Sequence, residues 1–151
     1  MHKWGAAAAS LSLMVAIAAN AGGLQDAAPA STPNLIVYRD YAEPRAWSPT
    51  VKVDGTKIVA IGQKQYTTVT LAPGRHRITL TWPLMATQRG AAIDIDLSDG
   101  KLRYLEVTGV SRVVGLTGNG YLTRTGSGIE EVDPVQAAKT IAECCKLKAP
   151  K

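Results

Sequence analysis

The segment Val51–Ile58, VKVDGTKI, constrains the fold more than any other stretch of this chain. Apolar and polar residues alternate on both sides of an Asp-Gly pair, which is the strongest short-range signal for a β-hairpin with a two-residue turn. Because strand side chains alternate between faces, Val51 and Val53 are expected on one side and the polar residues on the other. The segment therefore predicts a hairpin with one face packed on a core.

Further strand patterns follow the opening run Leu35–Tyr38 as far as residue 107, and turn residues separate them. They are Tyr66–Leu71, Arg75–Trp82, Ile93–Leu97 and Leu102–Val107. The glycine-rich residues 109–128 suggest one weak strand near 120–124. Short strands at regular spacing favour a mainly β fold, an antiparallel β-sandwich of about seven strands.

The chain is expected to close with an α-helix over residues 134–145. Asp133 is a good N-cap, Pro134 stands at the first helical position, and Gln136 completes a capping box. A stripe at helical spacing is predicted to pack on the sheet. It consists of Val135, Ala138, Ile141, Ala142 and Cys145.

The first residues are typical of a targeting segment. A charged start is followed by the apolar run Trp4–Ala19 and by the small-x-small site Ala19-Asn20-Ala21. The run is shorter than the roughly 20 residues of a membrane span. We therefore expect a signal peptide over 1–21, a flexible leader over 22–33, and a domain over 34–148. No stable span is expected after cleavage, and the protein is predicted to be periplasmic or secreted.

The charge of the chain is a mild excess of cations. The formal net charge is +5, and no run of Lys and Arg exceeds two residues. A basic patch for nucleic acid would need a denser cluster, so we expect no nucleic-acid partner. The cysteines at 144 and 145 lie far from the apolar run, so no lipid anchor is expected.

Several segments together resemble a known family. Their order along the chain is IVYR, VKVDGTKIVAIG, APGRHRI, SDGKLRYLEV and AECCKL. Over about residues 34–148 the chain resembles the DUF2846 domain, an uncharacterised bacterial envelope family, many of whose members are described as lipoproteins. The VDG…PG-H core is also similar to the PEGA module, a small surface β-domain. The resemblance implies an envelope β-domain with no established reaction. The missing lipidation cysteine is a departure from the lipoprotein members.

Charged residues on two neighbouring strands predict cross-strand pairs. Pairing around the connection 83–88 would set Arg75 opposite Asp96 and Arg77 opposite Asp94. His76 is the single histidine of the predicted mature chain and is expected to be a packed or hydrogen-bonded strand residue, with ligand binding as the alternative role. A lone histidine is a poor metal site, so no metal or cofactor is expected.

Adjacent cysteines are the most unusual feature of the sequence. Two neighbours within a helix cannot bridge each other without severe distortion. Cys145 is expected to be buried on the apolar stripe, and Cys144 to be more exposed because it lies about 100° round the helix. The sharper hypothesis is an intermolecular disulfide through Cys144, giving a disulfide-linked dimer.

The aromatic residues leave a choice of function. Trp47, Trp82 and Tyr41 are candidates for a glycan-binding platform, although aromatics in a chain without Phe more often fill the core. The prediction is a non-enzymatic module that binds a partner protein or a surface polymer. One alternative is a glycan-binding module that uses Trp47 and Tyr41. The other is a small hydrolase-like enzyme around His76, with Asp94 and Asp96.

Overall fold

The computed structural model describes residues 32–86 and 88–150, which belong to one compact unit, Ser31–Lys151. The predicted signal peptide, residues 1–21, and nearly all of the predicted leader lie outside the described residues. No helix within the described ranges has both the length and the hydropathy that crossing a bilayer requires.

Nine strands and one α-helix occur in the part of the chain that the structure describes. The strands are β1 (Leu35–Arg39), β2 (Thr50–Val53), β3 (Thr56–Ala60), β4 (Gln65–Val69), β5 (Arg75–Thr81), β6 (Ala91–Asp96), β7 (Arg103–Thr117), β8 (Gly120–Glu131) and β9 (Lys146–Leu147). Helix α1 spans Pro134–Cys144. A single 3-10 turn, Leu84–Ala86, lies between β5 and β6.

The strands form two sheets, so the predicted mainly β sandwich with a C-terminal helix is confirmed. One sheet has the order β8-β7-β1-β4-β9 and the other the order β3-β2-β5-β6. Most pairs are antiparallel, as predicted, but β1 with β7 and β4 with β9 are parallel. Parallel partners need a long connection, and between β1 and β7 the chain passes through β4 and all four strands of the second sheet.

The core lies between the sheets and is built from the inward residues of both. Its buried members are Leu35, Val37, Val51, Val53, Val59, Ile61, Val69, Ile78, Leu80, Ile95, Leu97, Leu105, Val107 and Ile129. The hairpin predicted from VKVDGTKI is confirmed. Asp54 and Gly55 have φ values of 49° and 83°, and positive φ at both turn positions is what a type I′ turn requires.

A long hairpin occupies the region where the sequence predicted one weak strand. β7 is 15 residues long and β8 is 12 residues long, and they pair from Leu105 with Glu131 out to Thr117 with Gly120. The outer part of this hairpin, residues 109–126, is called the arm below. The prediction near 120–124 found a piece of β8 and missed the outer half of β7.

The start of α1 was predicted correctly, but the face that it buries was not. The Asp133 carboxylate accepts hydrogen bonds from the backbone N–H of Val135 and Gln136. Val135, however, is 79% exposed, whereas Ala137 is fully buried. The half-buried Thr140, Ile141 and Cys144 share the face of Ala137. Because Ala137 and Ala138 are neighbours, two different stripes satisfy the helical spacing, and the sequence stripe was the wrong one.

Candidate functional site

The arm exposes apolar side chains to solvent on the β7 side. Val110 is 51% exposed, Val113 61%, Val114 51% and Leu116 78%. Single exposed apolar residues are normal on a protein surface, but these four lie within seven residues of one strand, and strand alternation divides them between the two faces of the arm. Exposed apolar side chains that lie close together mark interaction sites. The arm also ends its sheet, because β8 is the terminal strand in the order β8-β7-β1-β4-β9.

The charge of the arm has one sign. The segment from Val107 to Ile129 contains no Asp or Glu, and its charged residues are Arg112 and Arg124. Residues 112 and 124 are Cα partners in the β7–β8 register. The two arginines therefore stand at the same level of the arm, and the arm is a cationic element whose remaining residues are apolar, small or neutral polar.

The base of the arm is joined to the loop that connects β1 to β2. The Glu43 backbone N–H donates to the Gly109 carbonyl at 3.0 Å. A Cβ on Gly109 would lie 2.0 Å from the Glu43 carbonyl oxygen, so only glycine permits this approach. Gln88 Nε2 donates to the same Glu43 carbonyl at 3.2 Å. The loop, residues 40–49, and the arm base therefore form one continuous surface.

Arg39 is the residue that shapes this loop, and sequence reasoning missed it. Its side chain is fully buried. It donates at 2.8–3.3 Å to the carbonyl oxygens of Ala42, Pro44, Trp47 and Ile61. Burial lowers the pKa of Arg39 from its ordinary value, and the charge of Glu43 partly offsets that effect. The signal in the sequence was the position of Arg39, which directly follows the apolar strand run IVY and so suggests a buried arginine.

The three aromatic candidates do not present a shared open platform. Tyr41 is exposed, but its hydroxyl donates to Glu43 at 2.8 Å and the Arg45 guanidinium lies 5.5 Å from its ring centre. Trp47 is 37% exposed. Trp82 is half-buried, and the Arg39 guanidinium lies 5.1 Å from its ring centre. Two of the three rings are thus already stacked with arginine.

The predicted strand pairing of the charged residues is confirmed. Arg75 pairs with Asp96 and Arg77 with Asp94 in the β5–β6 register. The Arg77 guanidinium lies 3.2 Å from the Asp94 carboxylate, and both side chains are largely exposed. Such a surface pair contributes about 0.2–1 kcal/mol at most.

His76 lies beside an open concavity of about 510 Å³, which is also lined by Asp54 and by the four charged residues of β5 and β6. Its Nδ1 lies 2.7 Å from the Asp54 carboxylate and its Nε2 lies 2.8 Å from the Ala72 carbonyl. Both partners are acceptors, so the doubly protonated imidazolium is the form of His76 that satisfies both contacts. The hydrogen bond to Asp54 raises the pKa of His76, in agreement with this state.

The environment of His76 bears on the enzyme alternative. An imidazolium with both N–H groups already donated has no lone pair with which to act as a general base. Sequence reasoning did not identify Asp54 as the partner of His76, because the predicted hairpin turn already accounted for an Asp at position 54. The Asp54 carboxylate also accepts from the Arg77 backbone N–H at 2.9 Å, so it joins the hairpin turn to β5.

The two cysteines correct the sequence expectation. Cys144 and Cys145 are bonded to each other, and both are half-buried. Bridging was expected to be unfavourable because both residues were placed inside the helix. α1 instead ends at Cys144, and Cys145 is extended with φ −123° and ψ 143°. Since both sulfurs are used in this bond, the predicted intermolecular disulfide through Cys144 has no thiol to form it.

Comparisons with protein-family models, with curated proteins and with solved structures gave no match. The resemblance to the DUF2846 and PEGA domains therefore rests on the sequence motifs and stays a prediction.

Proposed function

We propose that this protein is a non-catalytic docking module that binds a partner protein through the arm. The observation that carries the proposal is the set of exposed apolar side chains, Val110, Val113, Val114 and Leu116, on a hairpin that ends its sheet. A terminal strand offers backbone N–H and C=O groups to an added strand, and neighbouring apolar side chains give such an addition affinity. The neighbouring loop with Tyr41 and Trp47 would widen the same surface.

A polypeptide suits this surface better than a lipid bilayer. An open strand edge placed in hydrocarbon leaves backbone polar groups without hydrogen bonds, at several kcal/mol for each group. A polypeptide strand can supply those bonds and cover the apolar side chains at the same time. The combination of a terminal strand and exposed apolar side chains therefore favours a protein partner over membrane insertion.

The charge of the arm favours a different protein over a second copy of this chain. The arm contains two arginines and no Asp or Glu, so two arms laid edge to edge would bring charges of one sign together without a compensating carboxylate from the arm. Like charges directly opposite each other destabilise strand pairing. We therefore expect the partner to offer an extended segment that combines apolar residues with Asp or Glu.

The two alternatives have weaker support. Glycan stacking needs open aromatic faces, and two of the three candidate rings are stacked with arginine. Catalysis at His76 needs a free ring nitrogen, and both nitrogens face acceptors.

Export of the chain remains part of the proposal and rests on residues 1–21. Sequencing of the mature N-terminus tests it, with a start at residue 22 as the expected result.

Site-specific photo-crosslinking in intact cells tests the docking proposal. A crosslinking amino acid is placed at Leu116 on the arm and, as the control, at Val135, an equally exposed apolar position on α1. The expected result is one reproducible protein adduct from position 116 that is absent from position 135. The adduct should disappear when Val113→Asp is added. Adducts with lipid, adducts with a second copy, or no adduct from position 116 would each contradict the proposal.

A further inference from the structure

The junction between α1 and β9 brings together three groups that bind metals in other settings. One ligand atom each from Asp40, Cys144 and Cys145 lies within 4.8 Å of the others, and all three residues are half-buried. Asp40 follows β1 and the cysteines end α1, so the fold joins positions that are far apart in sequence. In the present structure the two sulfurs are bonded to each other.

Backbone hydrogen bonds fix the positions of these groups. The Lys64 N–H donates to the Asp40 carbonyl at 3.3 Å, and the Lys146 N–H donates to the Lys64 carbonyl at 3.0 Å. The Cys145 N–H donates to the Ile141 carbonyl at 2.9 Å. Ligands carried by hydrogen-bonded elements are held in place more accurately than ligands on free loops.

The Asp40 carboxylate already binds a cation at this place. The Lys64 ammonium forms an ion pair with it, and the Lys64 side chain is 57% exposed. An exposed lysine can leave at little cost, because surface ion pairs contribute only about 0–1 kcal/mol. Lys64 is therefore a competitor that a metal ion would displace from the carboxylate.

We propose that reduction of the Cys144–Cys145 disulfide opens a site for a thiophilic divalent cation of the zinc class, held by both thiolates and Asp40. A dithiol reductant supplies two electrons and two protons, the S–S bond breaks, two thiols form, and the reductant becomes a disulfide. The cation then replaces the two thiol protons, which are released. Thiolates select soft or borderline cations such as zinc and cadmium, and the carboxylate makes a third ligand with water in the fourth position.

Metal titration of the purified full chain tests this site. The protein is reduced with a phosphine, which leaves no competing thiol, and Zn²⁺ is titrated against a chromogenic chelator. Cd²⁺ is followed by its thiolate charge-transfer absorbance. We expect one cation per reduced chain and none on the oxidised chain. No binding to the reduced chain, or equal binding to both forms, would overturn the proposal.

Two carboxylate variants separate this site from general binding to acidic residues. Asp40→Asn should weaken zinc binding by about tenfold or more, because loss of a residue that only hydrogen-bonds to a metal ligand already costs about 10–100-fold. Asp94→Asn is the matched control, because Asp94 is exposed on β6 with its own arginine partner, and its affinity should equal that of the unchanged chain. Equal affinity of the two variants would overturn the role of Asp40.

Lys64→Ala gives a readout that a purely structural role would not produce. Removing the competing ammonium from Asp40 should strengthen zinc binding to the reduced chain. Neither this variant nor Asp40→Asn alters a cysteine, so the comparison holds even where Cys144→Ser or Cys145→Ser fails to fold. Zinc affinity of Lys64→Ala that is unchanged or weaker would contradict the proposed displacement.

Discussion

The two ends of β7 differ in what surrounds them. Leu105 and Val107 are fully buried between the sheets, whereas Val113 and Leu116 on the same strand are mostly exposed. The first pair gains the free energy of leaving water, roughly 1.5–3 kcal/mol for each side chain, and the second pair gains little of it within this chain. Residues of the same type therefore stabilise the fold at one end of a strand and are left for a partner at the other.

Arg39 offers the largest expected effect on the packed side of this comparison. Arg39→Met removes the donor for four loop carbonyls and leaves them short of hydrogen bonds in a buried place. We expect the free energy of unfolding to fall by about 3 kcal/mol. Chemical denaturation followed by circular dichroism measures the change.

Arg45→Met is the control for Arg39→Met. Arg45 is exposed and lies over the Tyr41 ring, so its loss should change the free energy of unfolding by no more than about 0.5 kcal/mol. If the two variants were equally stable, the hydrogen bonds of Arg39 would not be what holds the loop of residues 40–49 in place.

Gly109 tests the boundary between the packed part of β7 and the arm. A Cβ at this position would lie 2.0 Å from the Glu43 carbonyl oxygen, so Gly109→Ala must displace the loop or the strand. Overpacking of this kind costs about 1–3 kcal/mol. Thermal unfolding of Gly109→Ala measures the cost.

Gly118→Ala provides the matched comparison at the end of the arm. A Cβ on Gly118 would meet nothing within 4 Å, so its unfolding temperature should stay close to that of the unchanged chain. A shift as large as that of Gly109→Ala would show that the arm end is packed, contrary to the exposure of Leu116 and Asn119.

The strands that pack one face on the core were predictable from the sequence, because burial of one face imposes a pattern on the residues. Period-two alternation reports a strand with one face on a core, so the hairpin at Val51–Ile58 and the strands β4, β5 and β6 could be found. The same rule, applied around the 83–88 connection, gave the register that pairs Arg77 with Asp94. Turn chemistry at Asp54 and Gly55 fixed the hairpin type.

The arm, the role of Arg39 and the disulfide were not predicted, because their causes leave no pattern in the sequence. No side chain that the structure describes between residues 109 and 126 belongs to the core, so burial does not require these residues to alternate. Arg39 is held by backbone carbonyls. Every residue has a backbone carbonyl, so the sequence does not show which ones will accept from an arginine. The disulfide depends on α1 ending at Cys144, and helix ends are uncertain by one or two residues.

The His76–Asp54 pair predicts a smaller, pH-dependent effect on the packed side. The hydrogen bond to Asp54 raises the folded-state pKa of His76 above 6.5. The contribution of His76 to the free energy of unfolding is therefore complete below pH 6.5. It is lost as the pH rises through the raised pKa of the folded state. The hydrogen bond from His76 lowers the pKa of Asp54 below 3.8, so the contribution of Asp54 is complete above pH 3.8 and is lost as pH falls through the lowered value.

Denaturation of the unchanged chain and of His76→Gln across this pH range measures the effect. The difference in free energy of unfolding should be largest between pH 3.8 and pH 6.5 and should shrink on the alkaline side. NMR titration of the ring should give a midpoint above 6.5. A constant difference at all pH values would contradict the doubly protonated state of His76.

The arm should give the smallest stability change of all. Val113→Asp and Leu116→Asp replace side chains that are 61% and 78% exposed, so folding loses almost no buried apolar area. We expect changes within about 0.5 kcal/mol in the free energy of unfolding, similar to those of Val135→Asp on α1. The same arm variants should remove the partner adduct, which Val135→Asp should leave in place. A large loss of stability in the arm variants would mean that Val113 and Leu116 pack within this chain, and the contrast between the two ends of β7 would fail.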